Sequence, residues 1–194
     1  MQEPEPNRLF FALVPPAALH ADISAAATTL QQEHTLGGRL LNPQRYHITL
    51  FFFGDYTPPS SEPDILQAAA DIISPPFELT LDKAGCFPNR DIATWLAPNE
   101  TPPELDHLGQ QLRKTVSHLS RERNSGFTPH LTIGRQASQR LRPTLITPIT
   151  WQVKEFVLIR SILHEYPARY ETLGRFPLRG APLPPMPKQA NLGF

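Results

Sequence analysis

A chain of 194 residues with 18 basic and 18 acidic side chains has no net charge at neutral pH, so composition alone does not announce the broad basic footprint of a non-specific nucleic-acid binder. The length fits one ordinary domain, or two small lobes sharing a core, and excludes two independent large domains. A single cysteine, Cys86, excludes an intrachain disulfide and a cysteine-rich zinc site, and no apolar run approaches the roughly 18 residues of a membrane helix.

Residues 9–14 are rich in β-formers and end at Pro15-Pro16, which predicts a buried strand. The Ala- and Leu-rich stretch 17–32 predicts a helix closed by Gly37-Gly38, and the aromatic, β-branched stretch 46–53 predicts a core strand. Ser61 offers an N-cap for a helix running to residue 73. Residues 77–81 and 92–96 read as antiparallel neighbours across a turn at residues 88–91. Thr101-Pro102-Pro103-Glu104 has the pattern of a capping box, and Leu105, Leu108, Leu112, Val116 and Leu119 then keep helical spacing. Short strands follow at 130–133, 153–163 and 170–177. This order, β-α-β-α-β-β-α-β-β-β with no Gly-rich phosphate loop, predicts an α+β fold with mostly antiparallel pairing. Residues 1–7 read as an N-terminal extension, 8–179 as the domain and 180–194 as a Pro-rich flexible tail.

Two tetrapeptides stand out: His47-Ile48-Thr49-Leu50 and His130-Leu131-Thr132-Ile133, whose histidines are 83 residues apart. In a strand each His and its Thr share one face while the two aliphatic residues anchor the other. Two such strands facing each other line a groove with two imidazoles and two hydroxyls. Cleaving a cyclic phosphodiester with water needs a base for the water proton and an acid for the leaving oxygen, and histidine suits both near neutral pH. Threonine hydroxyls can donate to the non-bridging phosphate oxygens. The remaining histidines, His20, His34, His107, His118 and His164, lack this context and read as surface residues.

Together Arg8-Leu9-Phe10-Phe11-Ala12-Leu13, the segment YHITLFFFG, Trp95-Leu96-Ala97-Pro98 and FTPHLTIGR resemble the two-histidine (2H) phosphoesterases, specifically the RNA 2',3'-cyclic phosphodiesterases also called 2'-5' RNA ligases. The resemblance spans roughly residues 8–178. It implies a bilobal, pseudo-two-fold α+β fold of two mostly antiparallel sheets around a central groove, with no metal or other cofactor. It implies hydrolysis of RNA 2',3'-cyclic phosphate ends to 2'-phosphate ends, His47 acting as proton donor to O3' and His130 as proton acceptor from water. Thr49 and Thr132 match the phosphate-binding threonines, and the positions five residues beyond each histidine, Phe52 and Arg135, match substrate contacts. Arginine suits a phosphate or a stacked base, and phenylalanine suits base stacking. Strict strand alternation points Phe52 away from His47, so a core aromatic stays open unless the strand is bulged. Gly134 departs from the family pattern, which commonly has a larger aliphatic there.

Several alternatives remain at this level. A related enzyme acting on 2'-5' linkages or joining RNA ends shares the same motifs, and a binding-only RNA module is a rival from a different class. A zinc hydrolase needs a third ligand that neither motif supplies. The expected partners are RNA or oligonucleotide ends bearing the cyclic phosphate, with no membrane, for a monomer in a reducing cytoplasm. Residues 1–112 hold 5 basic and 14 acidic side chains, and residues 113–194 hold 13 and 4. Either the second half builds the surface for a polyanion, or the halves intertwine and neutralise each other.

Overall fold

The computed structural model describes residues 7–87, 91–120, 126–162 and 169–184. Its elements begin β1 (Arg8–Leu13), α1 (His20–Glu33), β2 (Arg39–Leu40), β3 (Ile48–Phe52), α2 (Glu62–Ala70), β4 (Phe77–Cys86) and β5 (Thr94–Ala97). They continue α3 (Pro103–Val116), β6 (Leu131–Arg135), β7 (Thr144–Val153), β8 (Glu155–Ile162) and β9 (Arg169–Pro177).

Strand β1 is paired along both edges, by β3 and β8, and its apolar run Leu9, Phe10, Phe11, Ala12 and Leu13 is buried on both faces. Leu9, Phe11 and Leu13 pack on the helical side, in one core with Ile23 of α1, Ile65 of α2 and Leu105 of α3. Phe10 and Ala12 form a second, smaller cluster on the opposite face with Val157 and Ile159. Period-two alternation therefore divides the strand between two apolar environments.

Eight strands follow the order β7-β4-β5-β6-β3-β1-β8-β9, with β2 added to β6, and every described pairing between them is antiparallel. The halves β6-β5-β4-β7 and β3-β1-β8-β9 repeat one arrangement about a pseudo-two-fold axis between β3 and β6. The two expected sheets meet there through the pair Ile48↔Leu131, so they continue as one nine-stranded sheet.

The helices cross between the halves. α1 follows β1 but packs on β6 and β7, and α3 follows β5 but packs on β3. Strands β8 and β9, late in the chain, complete the half begun by β1. The halves of the sequence thus intertwine, and Arg160 and Arg135 from the basic half pair with Glu62 and Asp91 from the acidic half.

Local expectations are corrected at several points. The helix α1 ends with Thr35 in the left-handed region (φ 49°), and Leu36 N–H donates to Gln31 O, so the glycines do not close it. Gly38 is needed for another reason: a Cβ there would lie 2.4 Å from the Arg135 carbonyl oxygen. Neither Ser61 nor Thr101 caps its helix through its side chain; α3 starts with Pro103 at its first position, acidic residues in its first turn and Arg113 and Lys114 in its last. Strand β7 is absent from the predicted order because Pro148 interrupts its pattern, which an edge strand tolerates. The turn residues 88–90, residue 163 and residues 185–194 of the tail lie outside the described residues.

Candidate active site

Antiparallel register set by Ile48↔Leu131 puts His47 opposite Thr132 and Thr49 opposite His130. All four face away from the helices, because their strand neighbours Ile48, Leu50, Leu131 and Ile133 are buried in the helical core. The two imidazoles are then diagonal partners, with Cβ atoms about 7 Å apart by ordinary sheet geometry. That spacing leaves room for a phosphate between them, with a hydroxyl beside each.

A β-bulge settles the position of Phe52. The register against β1 runs Leu13↔Ile48 and Ala12↔Thr49, then Phe11↔Phe51 and Phe10↔Phe52, which leaves Leu50 as an extra residue. Leu50 and Phe51 are consequently both in the helical core, and Phe52 returns to the histidine face against the Phe10 cluster. β6 repeats the device. Trp95↔Thr132 and Thr94↔Gly134 leave Ile133 extra, which brings Arg135 back to the face of His130. Without the bulges, Phe52 and Arg135 would point into the helices.

Gly134 fits the same local geometry. A Cβ on it would sit 2.6 Å from the Thr94 hydroxyl oxygen, so buried Thr94 occupies the space that a larger aliphatic would need. Arg135 itself donates to Asp91 Oδ2 at 2.8 Å and keeps 44% of its side chain exposed, enough for a second partner.

Both histidines are held alike. His47 Nδ1 lies 2.8 Å from the Arg45 carbonyl oxygen, and His130 Nδ1 lies 2.8 Å from that of Thr128. A carbonyl only accepts, so each Nδ1 bears the proton and Nε2 is left to exchange one. Each ring also meets aromatic neighbours: Phe10 at 4.9 Å and Tyr170 at 5.4 Å for His47, Phe87 at 4.7 Å for His130. These contacts explain the electrostatics. Burial pushes His47 down to about 4; the Arg45 carbonyl opposes this, while the positive charges of His130, Arg45 and Arg135 add to it. Burial also lowers His130, against the Thr128 carbonyl and with Arg135. Both shifts favour the neutral imidazole in the unliganded protein.

A cavity of about 710 Å³ lies elsewhere, between α1 and β7, and neither histidine lines it. Among the described residues no group of three or more His, Cys, Asp or Glu side chains is placed to hold a metal ion.

Residues 15–165 match the family model of the 2'-5' RNA ligase superfamily. This chain belongs to that superfamily. An Escherichia coli relative, RNA 2',3'-cyclic phosphodiesterase, is 34% identical over 179 residues, covering 90% of this chain and 98% of the relative. The crystal structure of E. coli LigT in apo form aligns with a TM-score of 0.75 at 31% identity, over 91% of this chain and 100% of that one. A second crystal structure, E. coli LigT complexed with 3'-AMP, aligns with a TM-score of 0.72 at 31% identity and the same coverage.

All six positions inferred from the superfamily resemblance therefore share one face of the sheet. Reading the sequence missed Arg45, Phe87 and Tyr170, which are remote or unremarkable in type. Only the matched spacing of Arg45 and Thr128, each two residues before its histidine, could have signalled the carbonyl contacts. His20 is also not a plain surface residue: its ring packs edge-on against Tyr46.

Proposed function

We propose that this chain opens the 2',3'-cyclic phosphate at an RNA end to give a 2'-phosphate and a free 3'-hydroxyl. The observation that carries this reading is the diagonal pair His47 and His130, each with Nδ1 fixed by a carbonyl and Nε2 available. The E. coli relative's name, RNA 2',3'-cyclic phosphodiesterase, supports the same substrate class.

In this mechanism water attacks phosphorus in line with the P–O3' bond. His130 Nε2 takes the water proton, the new P–O bond forms as P–O3' breaks, and His47 Nε2 delivers a proton to O3'. Thr49 and Thr132 donate to the non-bridging oxygens, Arg135 adds a charge-assisted contact, and Phe52 offers a face to a base. His47 must be charged to act as the acid, although burial and the positive charges of Arg45 and Arg135 oppose that in the unliganded protein. The anionic phosphate supplies the compensating charge, so substrate binding creates the working protonation state.

The test is an oligonucleotide ending in a 2',3'-cyclic phosphate, with phosphorus NMR to identify the product. A 2'-phosphate is expected, and turnover should persist in EDTA. A 3'-phosphate product, or activity lost in chelator and restored by added metal, would contradict the proposed route. His47→Ala and His130→Ala should each lose about 10² to 10⁴ in kcat while remaining folded. A 2'-5'-linked dinucleotide assayed alongside distinguishes this reading from cleavage of that linkage.

A further inference from the structure

The pseudo-two-fold repeat is broken in its cations. The half containing His130 places Arg135 five residues beyond its histidine, but the corresponding residue in the other half is Phe52, which has no charge. A guanidinium reaches the His47 side by another route, from Arg45. Its Cζ lies 4.9 Å from the centre of the Tyr170 ring, and Nη2 donates to the Tyr170 hydroxyl oxygen at 3.1 Å. Tyr170 in turn packs edge-on against His47, so its ring links the Arg45 guanidinium to the His47 side of the site.

Two further observations mark this cation as incomplete. Arg135, the cation on the His130 side, pairs with Asp91, whereas among the described residues Arg45 pairs with no carboxylate. Arg45 Nε is buried without a hydrogen-bond partner, and the charge acts unfavourably on His47. A half-buried guanidinium with unused donors, beside another group that becomes charged, is suited to an anion.

We propose that Arg45, held by Tyr170, forms a second phosphate subsite that takes the phosphodiester on the 5' side of the cyclised nucleotide. This rests on the reading in which His47 protonates the leaving ribose oxygen. That role puts the ribose on the His47 side, and the RNA chain continues from it towards Arg45. The cyclic phosphate lies between the histidines, and the next phosphate meets the outlying guanidinium. The subsite makes the protein select RNA ends of two or more nucleotides over a lone nucleoside 2',3'-cyclic phosphate.

The experiment compares a dinucleotide ending in a 2',3'-cyclic phosphate with the corresponding nucleoside 2',3'-cyclic phosphate. In Arg45→Gln the ratio of kcat/KM for the two should fall about tenfold or more, the scale of a lost charged hydrogen bond, with the change mainly in KM. Arg45→Lys should restore part of the ratio, and Tyr170→Phe should lower it less than Arg45→Gln. Using the ratio cancels any effect of the substitution on His47 itself. The same comparison is made by binding of the two 2'-phosphate products, which needs no turnover. An affinity ratio equal in wild type and Arg45→Gln overturns the subsite. Absent turnover with an Arg45-dependent affinity ratio instead overturns the proposed activity and leaves the subsite standing.

Discussion

A histidine whose Nδ1 proton is committed to a carbonyl can titrate only at Nε2, and the surroundings of that atom set the pH at which it works. Both imidazoles here release their protons at lower pH than an ordinary histidine, His47 at about 4. If one must be neutral and the other charged, kcat/KM, which reports the unliganded protein, should be bell-shaped with both apparent pKa values below about 6.5. These values belong to the coupled pair. The kcat profile should lie at higher pH, because bound phosphate opposes the positive neighbours. A kcat/KM optimum above pH 7 would show that burial does not control the pair. Stability follows the same sign: with the folded value depressed, the contribution of neutral His47 is complete above about 6.5 and is lost as pH falls towards 4. Thermal unfolding of His47→Gln should therefore depend less on pH than wild type across that window.

At the scale of the element, one extra residue in each of β3 and β6 decides what the groove contains. The bulge in β6 also accounts for the departure at Gly134, where Thr94 fills the adjacent space. Gly134→Ala should destabilise the fold by about 1–3 kcal/mol through overpacking, and Thr94→Ala should recover much of that loss in the double variant. A double-mutant cycle by urea denaturation reads the coupling. Additive effects would mean that Thr94 is not what excludes a larger side chain.

For the whole molecule, the exchange of helices between halves ties the sheet together. Fully buried Ile23 lies on α1, which follows β1 yet packs on β6 and β7. Ile23→Ala should cost about 2–5 kcal/mol, and the slowest amides of β1 and β5 should lose equal protection in hydrogen exchange. Labilisation confined to one half would show that the halves open independently. The intertwining also explains the charge asymmetry along the chain: residues from the acidic and basic halves pair within single parts of the fold, as Arg160 does with Glu62.

The sequence by itself determined the elements with strong period, such as β1 and α3, and the two His-Xaa-Thr-Xaa motifs that share a face. Those signals are local, because strand alternation and helical spacing act between near neighbours. Strand β7 stayed hidden, since whether Pro148 is tolerated depends on lying at an edge, which is a property of the assembled sheet. The face occupied by Phe52 and Arg135 likewise depended on bulges that only cross-strand register reveals. Arg45 and Tyr170 are 125 residues apart, and no spacing along the chain announces their contact. Tertiary structure decided these features because each arises where segments distant in sequence compete for the same space, hydrogen bonds and charge.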